Sequence, residues 1–214
     1  MIAIKGKNKK NIFICSVSSF ALSYVQTNQF NLPNLEQEWK HIIARCRRGD
    51  HDAMCLAYGK MWKQIYPAVW QILRNREEAE DVLQESMIQG FDKLHSLKDD
   101  NKYPAWQKQI ALRHALNKLK SRKSTSTLFE DVEVPEEDTG NTDWNVISDE
   151  LIRKKIDDMP DGYRVVVRLH LLEGWSHDDI AGELGITAST SRSQYSRALS
   201  KLKKELTEEY ERSN

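Results

Sequence analysis

The sequence predicts an all-α protein: two small helical domains joined by an acidic flexible linker, the second carrying a helix-turn-helix. Three observations lead there. Apolar residues recur at intervals of three and four over residues 35–119 and again over 147–206. Val, Ile and Thr rarely alternate in the strand pattern, and Gly and Pro are few, nine and five. Between the two periodic stretches lies a segment too polar to bury a core. At 214 residues the chain has room for one large domain or two small ones.

Residues 1–34 read as an unstructured extension. Lys5, Lys7, Lys9 and Lys10 precede an apolar run at 12–25 that copies a secretory signal superficially. Four serines dilute the run, and it is too short to span a bilayer. From residue 35 the helical period begins, with Leu35, Trp39, Ile42, Ile43 and Cys46 on one face and Gly49 as the stop. Met54, Ala57, Tyr58, Met61, Trp62 and Ile65 continue it in a second helix, which Pro67 is expected to bend or divide. Asn75 can cap the next helix, whose first turns are acidic. There Ala79, Val82, Leu83, Met87, Phe91 and Leu94 form the buried face. Asp81, Gln84 and Glu85 are left as a polar set able to meet a basic or polar partner.

After a loop at 98–102, residues 103–123 form a basic amphipathic helix. Trp106, Ile110, Leu112, Leu116 and Leu119 are its apolar residues. Lys102, Lys108, Arg113, Lys118, Lys120, Arg122 and Lys123 bring seven positive charges, with no acid from 101 to 123. Such a surface suits a phosphate backbone, and Tyr103 or Trp106 can stack on unpaired bases. Residues 124–150 then carry nine acids and no Lys or Arg, a linker composition able to shield the basic surfaces as a tethered mimic of DNA. The domains are therefore expected at 35–123 and 148–210, with the linker at 124–147.

In the second domain Ile147, Leu151, Ile152, Ile156 and Met159 restore the helical period, and residues 160–162 make a turn. Tyr163, Val166, Val167, His170 and Leu171 belong to another helix. Ser176 with Asp179 reads as a capping-box start, Gly185 as a left-handed stop, and Thr187 as the cap of the last helix. Two helices so closely joined have helix-turn-helix spacing. Ser191, Tyr195, Ala198, Leu199, Leu202 and Leu206 form the buried stripe of the second. Ser189, Thr190, Ser193, Arg197, Ser200 and Lys204 point away from it. From 186 to 204 there are five basic residues and no acid. Small hydroxyls interleaved with Arg suit a helix that reads base edges in the major groove and grips flanking phosphates. Gly182, inside the first helix of the motif, is read as allowing close helix packing.

The function classes left over are few. Lys plus Arg and Asp plus Glu both number 32, so any affinity for nucleic acid comes from local patches. Three cysteines are too few for a disulfide framework. His41, Cys46, His51 and Cys55 lie close in sequence but lack paired zinc-ligand spacings, so no metal and no cofactor are expected. The chain has no Gly-rich phosphate loop or nucleophile elbow and is read as no enzyme.

In order along the chain, EEAEDVLQESMIQGFDKLHSL, PAWQKQIALRHALNKLKSRK and MPDGYRVVVRLHLLEGWSHDDIAGELGITASTSRSQYSRALSKL resemble successive segments of bacterial sigma-70 family factors of the extracytoplasmic-function group. The resemblance covers roughly residues 35–208. It implies a cytoplasmic sigma factor, not inserted in a membrane, that binds core RNA polymerase, directs promoter-specific initiation and helps melt promoter DNA. Asp81, Gln84 and Glu85 would dock on the clamp helices of the beta-prime subunit, with the beta subunit as a further contact. Tyr103, Trp106, Lys108, Arg113, Asn117 and Lys120 would serve the minus-ten element. Thr187, Ser189, Thr190, Arg192, Ser193, Arg197 and Lys201 would serve the minus-thirty-five element. An anti-sigma factor is an implied partner. The chain departs from the family pattern at Leu112-Arg113 and Gln109. The alternative reading is a helix-turn-helix regulator that binds duplex DNA without polymerase.

Overall fold

The computed structural model of the chain describes residues 35–122 and 149–213. The expected extension at 1–34 and the acidic linker at 124–147 lie outside them. Eight α-helices are found among the described residues: α1 (Leu35–Arg47), α2 (His51–Leu73), α3 (Arg76–Asp92), α4 (Tyr103–Arg122), α5 (Asp149–Asp157), α6 (Asp161–Val167), α7 (His177–Leu184) and α8 (Ala188–Ser213). No strand occurs among the described residues. The chain divides into two compact units, 1–115 and 116–214, and the division falls within α4.

In the first unit local capping sets the helix ends. Gly49, at φ +80°, turns the chain after α1, and Asp50 then caps α2 by accepting from the Ala53 N–H at 3.1 Å. The same carboxylate meets Arg45 Nε at 2.7 Å. That bond and the Ala53 N–H hold the Asp50 carboxyl below its ordinary value. α2 runs unbroken through Pro67, so no new helix begins there. Proline at 67 lacks the N–H that would bond the Lys63 carbonyl, but both residues are exposed, so water can satisfy that oxygen. Arg74 closes α2 in the left-handed conformation, its guanidinium 4.6 Å from the Trp70 ring. Asn75 caps α3 as expected, accepting from the Glu78 N–H at 3.0 Å.

The core of this unit joins Trp39, Ile42, Ile43 and Cys46 of α1 to Ala57, Met61, Ile65 and Val69 of α2 and Val82, Leu83 and Met87 of α3, all buried. Burial pushes the Cys46 thiol up to about 11, which keeps it a small apolar filler and not a thiolate.

The second unit packs α5, α6 and α8 around Ile156, Met159, Tyr163, Val167, Ala198, Leu202 and Leu206. Arg164 is buried and spans the turn between α5 and α6, donating to the Met159 carbonyl at 3.0 Å and to Asp161 at 2.5 Å. Lys155 and Glu209 pair α5 with α8 at 3.1 Å.

The helix expected to continue α6 widens instead into a π-turn over Arg168–Leu172. The extra residue in the turn rotates the side chains on its C-terminal side. Leu171 is 50% exposed and Leu172 44%. Trp175 takes the core position, and its N–H donates to the Leu169 carbonyl at 2.9 Å.

Candidate docking and nucleic-acid surfaces

On α3, Asp81 and Glu85 are exposed and Gln84 is half-buried, while Ala79, Val82, Leu83, Ser86, Met87 and Gly90 face inward. Spacings of three and four put the polar trio on one outer face. Glu85 Oε2 lies 3.8 Å from His114 Nδ1 of α4, and His114 Nε2 is 3.1 Å from Gln89 Oε1.

Along α4 the expected minus-ten set divides. At 100° per residue, Trp106, Arg113, Asn117 and Lys120 fall on one stripe, exposed or half-buried. Lys108 is turned well away from it and is half-buried. Tyr103 is a correction. It has no exposed surface, and its ring centroid is 5.3 Å from that of Trp39 and 6.1 Å from that of Trp106. No base can stack on a ring whose faces are already covered. The helical period could not reveal this, because Tyr103 opens α4 and is covered by α1, a helix distant in sequence.

The helix-turn-helix is built as its residues require. Ser176 and Asp179 form a complete capping box. Gly185 stops α7 at φ +72°, and Thr187 Oγ1 accepts from the Thr190 N–H at 3.0 Å at the start of α8. Ser191, Gln194, Ala198, Leu202 and Leu206 face the interior, and Tyr195 is half-buried. Ser189, Ser193 and Arg197 line the opposite stripe. Thr190 and Lys201 border it on one side and Arg192 on the other. Thr187, Ser189, Arg192 and Ser193 are exposed; Thr190, Arg197 and Lys201 are half-buried. Ser196, not singled out in the sequence, is exposed on the same face, and its position four residues after Arg192 is the signal that finds it.

Gly182 does not permit close packing: it is exposed and an added Cβ would meet nothing within 4 Å. Ala there is therefore expected to stabilise the chain by about 0.5–1 kcal/mol, since it removes only backbone freedom from the unfolded state. Urea unfolding of Gly182→Ala against the parent checks the sign; a destabilised variant would contradict the open space around Gly182.

Behind the reading face sits a cluster of two histidines and a tyrosine. The His170 and His177 rings stack with centroids 4.1 Å apart, and the Tyr195 ring meets His170 edge-on at 4.7 Å. His177 Nδ1 is 2.9 Å from Ser191 Oγ, and His170 Nδ1 is 2.8 Å from the Trp175 carbonyl. Desolvation first, then His170 and the Arg192 charge, hold the His177 imidazole below its ordinary value, against a smaller opposing effect of Asp178. A lowered folded-state value means that the unfolded chain takes the proton more readily. His177 thus costs no stability above about pH 6.5 and lowers it as pH falls through that value. The thermal midpoint is expected to drop between about pH 7.5 and about pH 5.5, and His177→Gln should reduce that drop. An equal drop in both proteins would exclude His177 as its source.

Residues 60–125 match the family model for Sigma-70 region 2, and residues 149–202 the model for Sigma-70, region 4. The chain belongs to the sigma-70 family. The RNA polymerase sigma-H factor of Pseudomonas aeruginosa is 27% identical over 183 residues, covering 80% of this chain and 95% of that protein. The ECF RNA polymerase sigma factor SigW of Bacillus subtilis is 27% identical over 187 residues, covering 80% and 98%. These relatives and the two matched regions set the sigma factor in the extracytoplasmic-function group. Among solved structures, the sigma factor RpoE in complex with the anti-sigma factor NepR from Bartonella quintana aligns with 18% identity and a TM-score of 0.41, covering 69% of this chain and 95% of that one.

As a sigma factor the chain binds core RNA polymerase and promoter DNA and directs promoter-specific transcription initiation. Sigma factors are regulatory proteins. Among the described residues no helix is long and apolar enough to cross a membrane, and no three His, Cys, Asp or Glu side chains are grouped to hold a metal ion.

Proposed function

We propose a division of labour among three surfaces of this sigma factor. Asp81, Gln84 and Glu85 on α3 dock on the beta-prime clamp helices. The α4 stripe of Trp106, Arg113, Asn117 and Lys120 takes the minus-ten element, and Lys108, turned away from the stripe, is left out of it. Ser189, Thr190, Arg192, Ser193, Ser196 and Arg197 face the minus-thirty-five element, while Thr187 and Lys201 lie on flanking phosphates. The boundaries at 35–123 and 148–210 accord with this division, with the acidic linker between them running through the polymerase. The factor works in the cytoplasm, where polymerase and chromosome are, and catalyses no reaction of its own.

One observation carries this reading above all: acidic and basic polar faces are kept apart on the adjacent helices α3 and α4, both backed by buried apolar residues. An independent duplex-binding regulator has no use for the first face. In vitro transcription with purified core polymerase tests the reading. Promoter-dependent transcripts are expected only when the chain is added. Tight duplex binding without polymerase, and no association with core, would favour the helix-turn-helix regulator instead.

A further inference from the structure

Gln107 of α4 is fully buried where α4 meets α3. Its Nε2 donates to the Ser86 carbonyl at 2.8 Å, across 21 residues of sequence. Ser86 is itself buried, and its hydroxyl turns back to the Leu83 carbonyl at 2.8 Å. The Gln107 oxygen has no hydrogen-bond partner. It lies against Gly90, where an added Cβ would fall 1.7 Å from Oε1 and 2.7 Å from Cδ. The amide therefore occupies the space that any residue other than glycine would fill, so it fits α3 at one height and in one rotation. A buried apolar side chain can slide by part of a turn at little cost, whereas a buried amide with one bond to make cannot.

The position of this lock matters because of its neighbours. Ser86 directly follows the docking residue Glu85, and Gln107 directly follows Trp106 of the α4 stripe. We propose that Gln107, seated on Gly90 and bonded to the Ser86 carbonyl, is a positioning residue that fixes the register between the polymerase-docking helix and the promoter-opening helix. His114, bonded to Gln89 two turns further along α4, holds the same two helices from the solvent side. The inference rests on the reading of α4 as the promoter-opening helix. Through this lock, a rigid hold on polymerase becomes a rigid placement of the stripe against the duplex, and strand opening depends on placement more steeply than binding does.

The test uses the full chain reconstituted with core polymerase on a promoter carrying a fluorescent base in its minus-ten element. Gln107→Met keeps the side chain's length and removes the amide. Thermal midpoint, core affinity and closed-promoter affinity are expected to stay near the parent's, while the opening rate falls roughly tenfold. Gly90→Ala, which drives the amide from its seat, should slow opening by a similar factor. Added to Gln107→Ala, Gly90→Ala should slow opening no further, because the group it displaces is gone. Opening at the parent rate in Gln107→Met, or effects of Gly90→Ala and Gln107→Ala that multiply, would overturn the lock. Trp106→Ala separates this from the reading beneath it. If Trp106→Ala slows opening and Gln107→Met does not, the lock alone fails; if neither slows it, the assignment of α4 fails as well.

Discussion

Reversing the two exposed carboxylates of α3, Asp81→Lys with Glu85→Lys, is expected to abolish binding to core polymerase and leave the fold intact. Both side chains stand on the outer face of the helix, opposite Val82, Leu83 and Met87. Lysine is as good a helix former as glutamate, and both positions lie beyond the first turn, where acids gain most from the helix dipole. Nothing in the core changes, so circular dichroism and the thermal midpoint should match the parent's. At the interface the exchange swaps two negative charges for two positive ones. Like charges brought together there cost several kcal/mol, and about 3 kcal/mol alone weakens binding more than 100-fold. Gel filtration with core and a titration of fluorescently labelled factor would measure the loss. Binding to a minus-thirty-five duplex should stay unchanged, because α8 is untouched. Undiminished core affinity would remove Asp81 and Glu85 from the docking surface.

The second large effect is expected at Arg192. Its side chain is exposed on the margin of the α8 reading stripe, with Ser189 and Ser193 beside it. An arginine that makes a bidentate contact to a guanine edge contributes about 1–3 kcal/mol of discrimination. Arg192→Ala should therefore weaken minus-thirty-five binding by roughly 5- to 150-fold and relax preference at one base pair. An arginine that touches only phosphate would instead weaken binding evenly across sequences and lower the salt slope by about one. Holoenzyme titrated against promoters varied through the minus-thirty-five element, at two salt concentrations, distinguishes these outcomes. If affinity and preference both stayed at parental values, Arg192 would lie outside the interface. The substitution also removes a positive charge that holds His177 down, so the acid-linked loss of stability should shrink with it.

Local chemistry explains which parts of the molecule were legible. Asn75, the Ser176–Asp179 box, Gly185 and Thr187 each act on backbone within a few residues, and each performs the role its residue type predicts. The α3 and α8 faces were legible for a related reason: one helix with one partner side buries every third or fourth residue, and the polar face is what remains. That no new helix begins at Pro67 was hidden, because the cost of a missing N–H depends on exposure, and exposure belongs to the packed unit. The π-turn at Arg168–Leu172 was hidden too, since one extra residue in a turn leaves apolar composition unchanged while turning Leu171 and Leu172 outward.

By itself, then, the sequence determined the helices, most of their ends and the faces they offer, because those depend on near neighbours and on period. Tertiary structure decided what depends on residues far apart in the chain. Trp39 of α1 and the start of α4 bury Tyr103 and withdraw it from any DNA surface. Gly90 and Gln107, which no sequence pattern links, become a single fitted junction only when α3 lies against α4. The physical reason is the same in both cases: burial and steric fit are properties of pairs of elements, and neither helix encodes them alone.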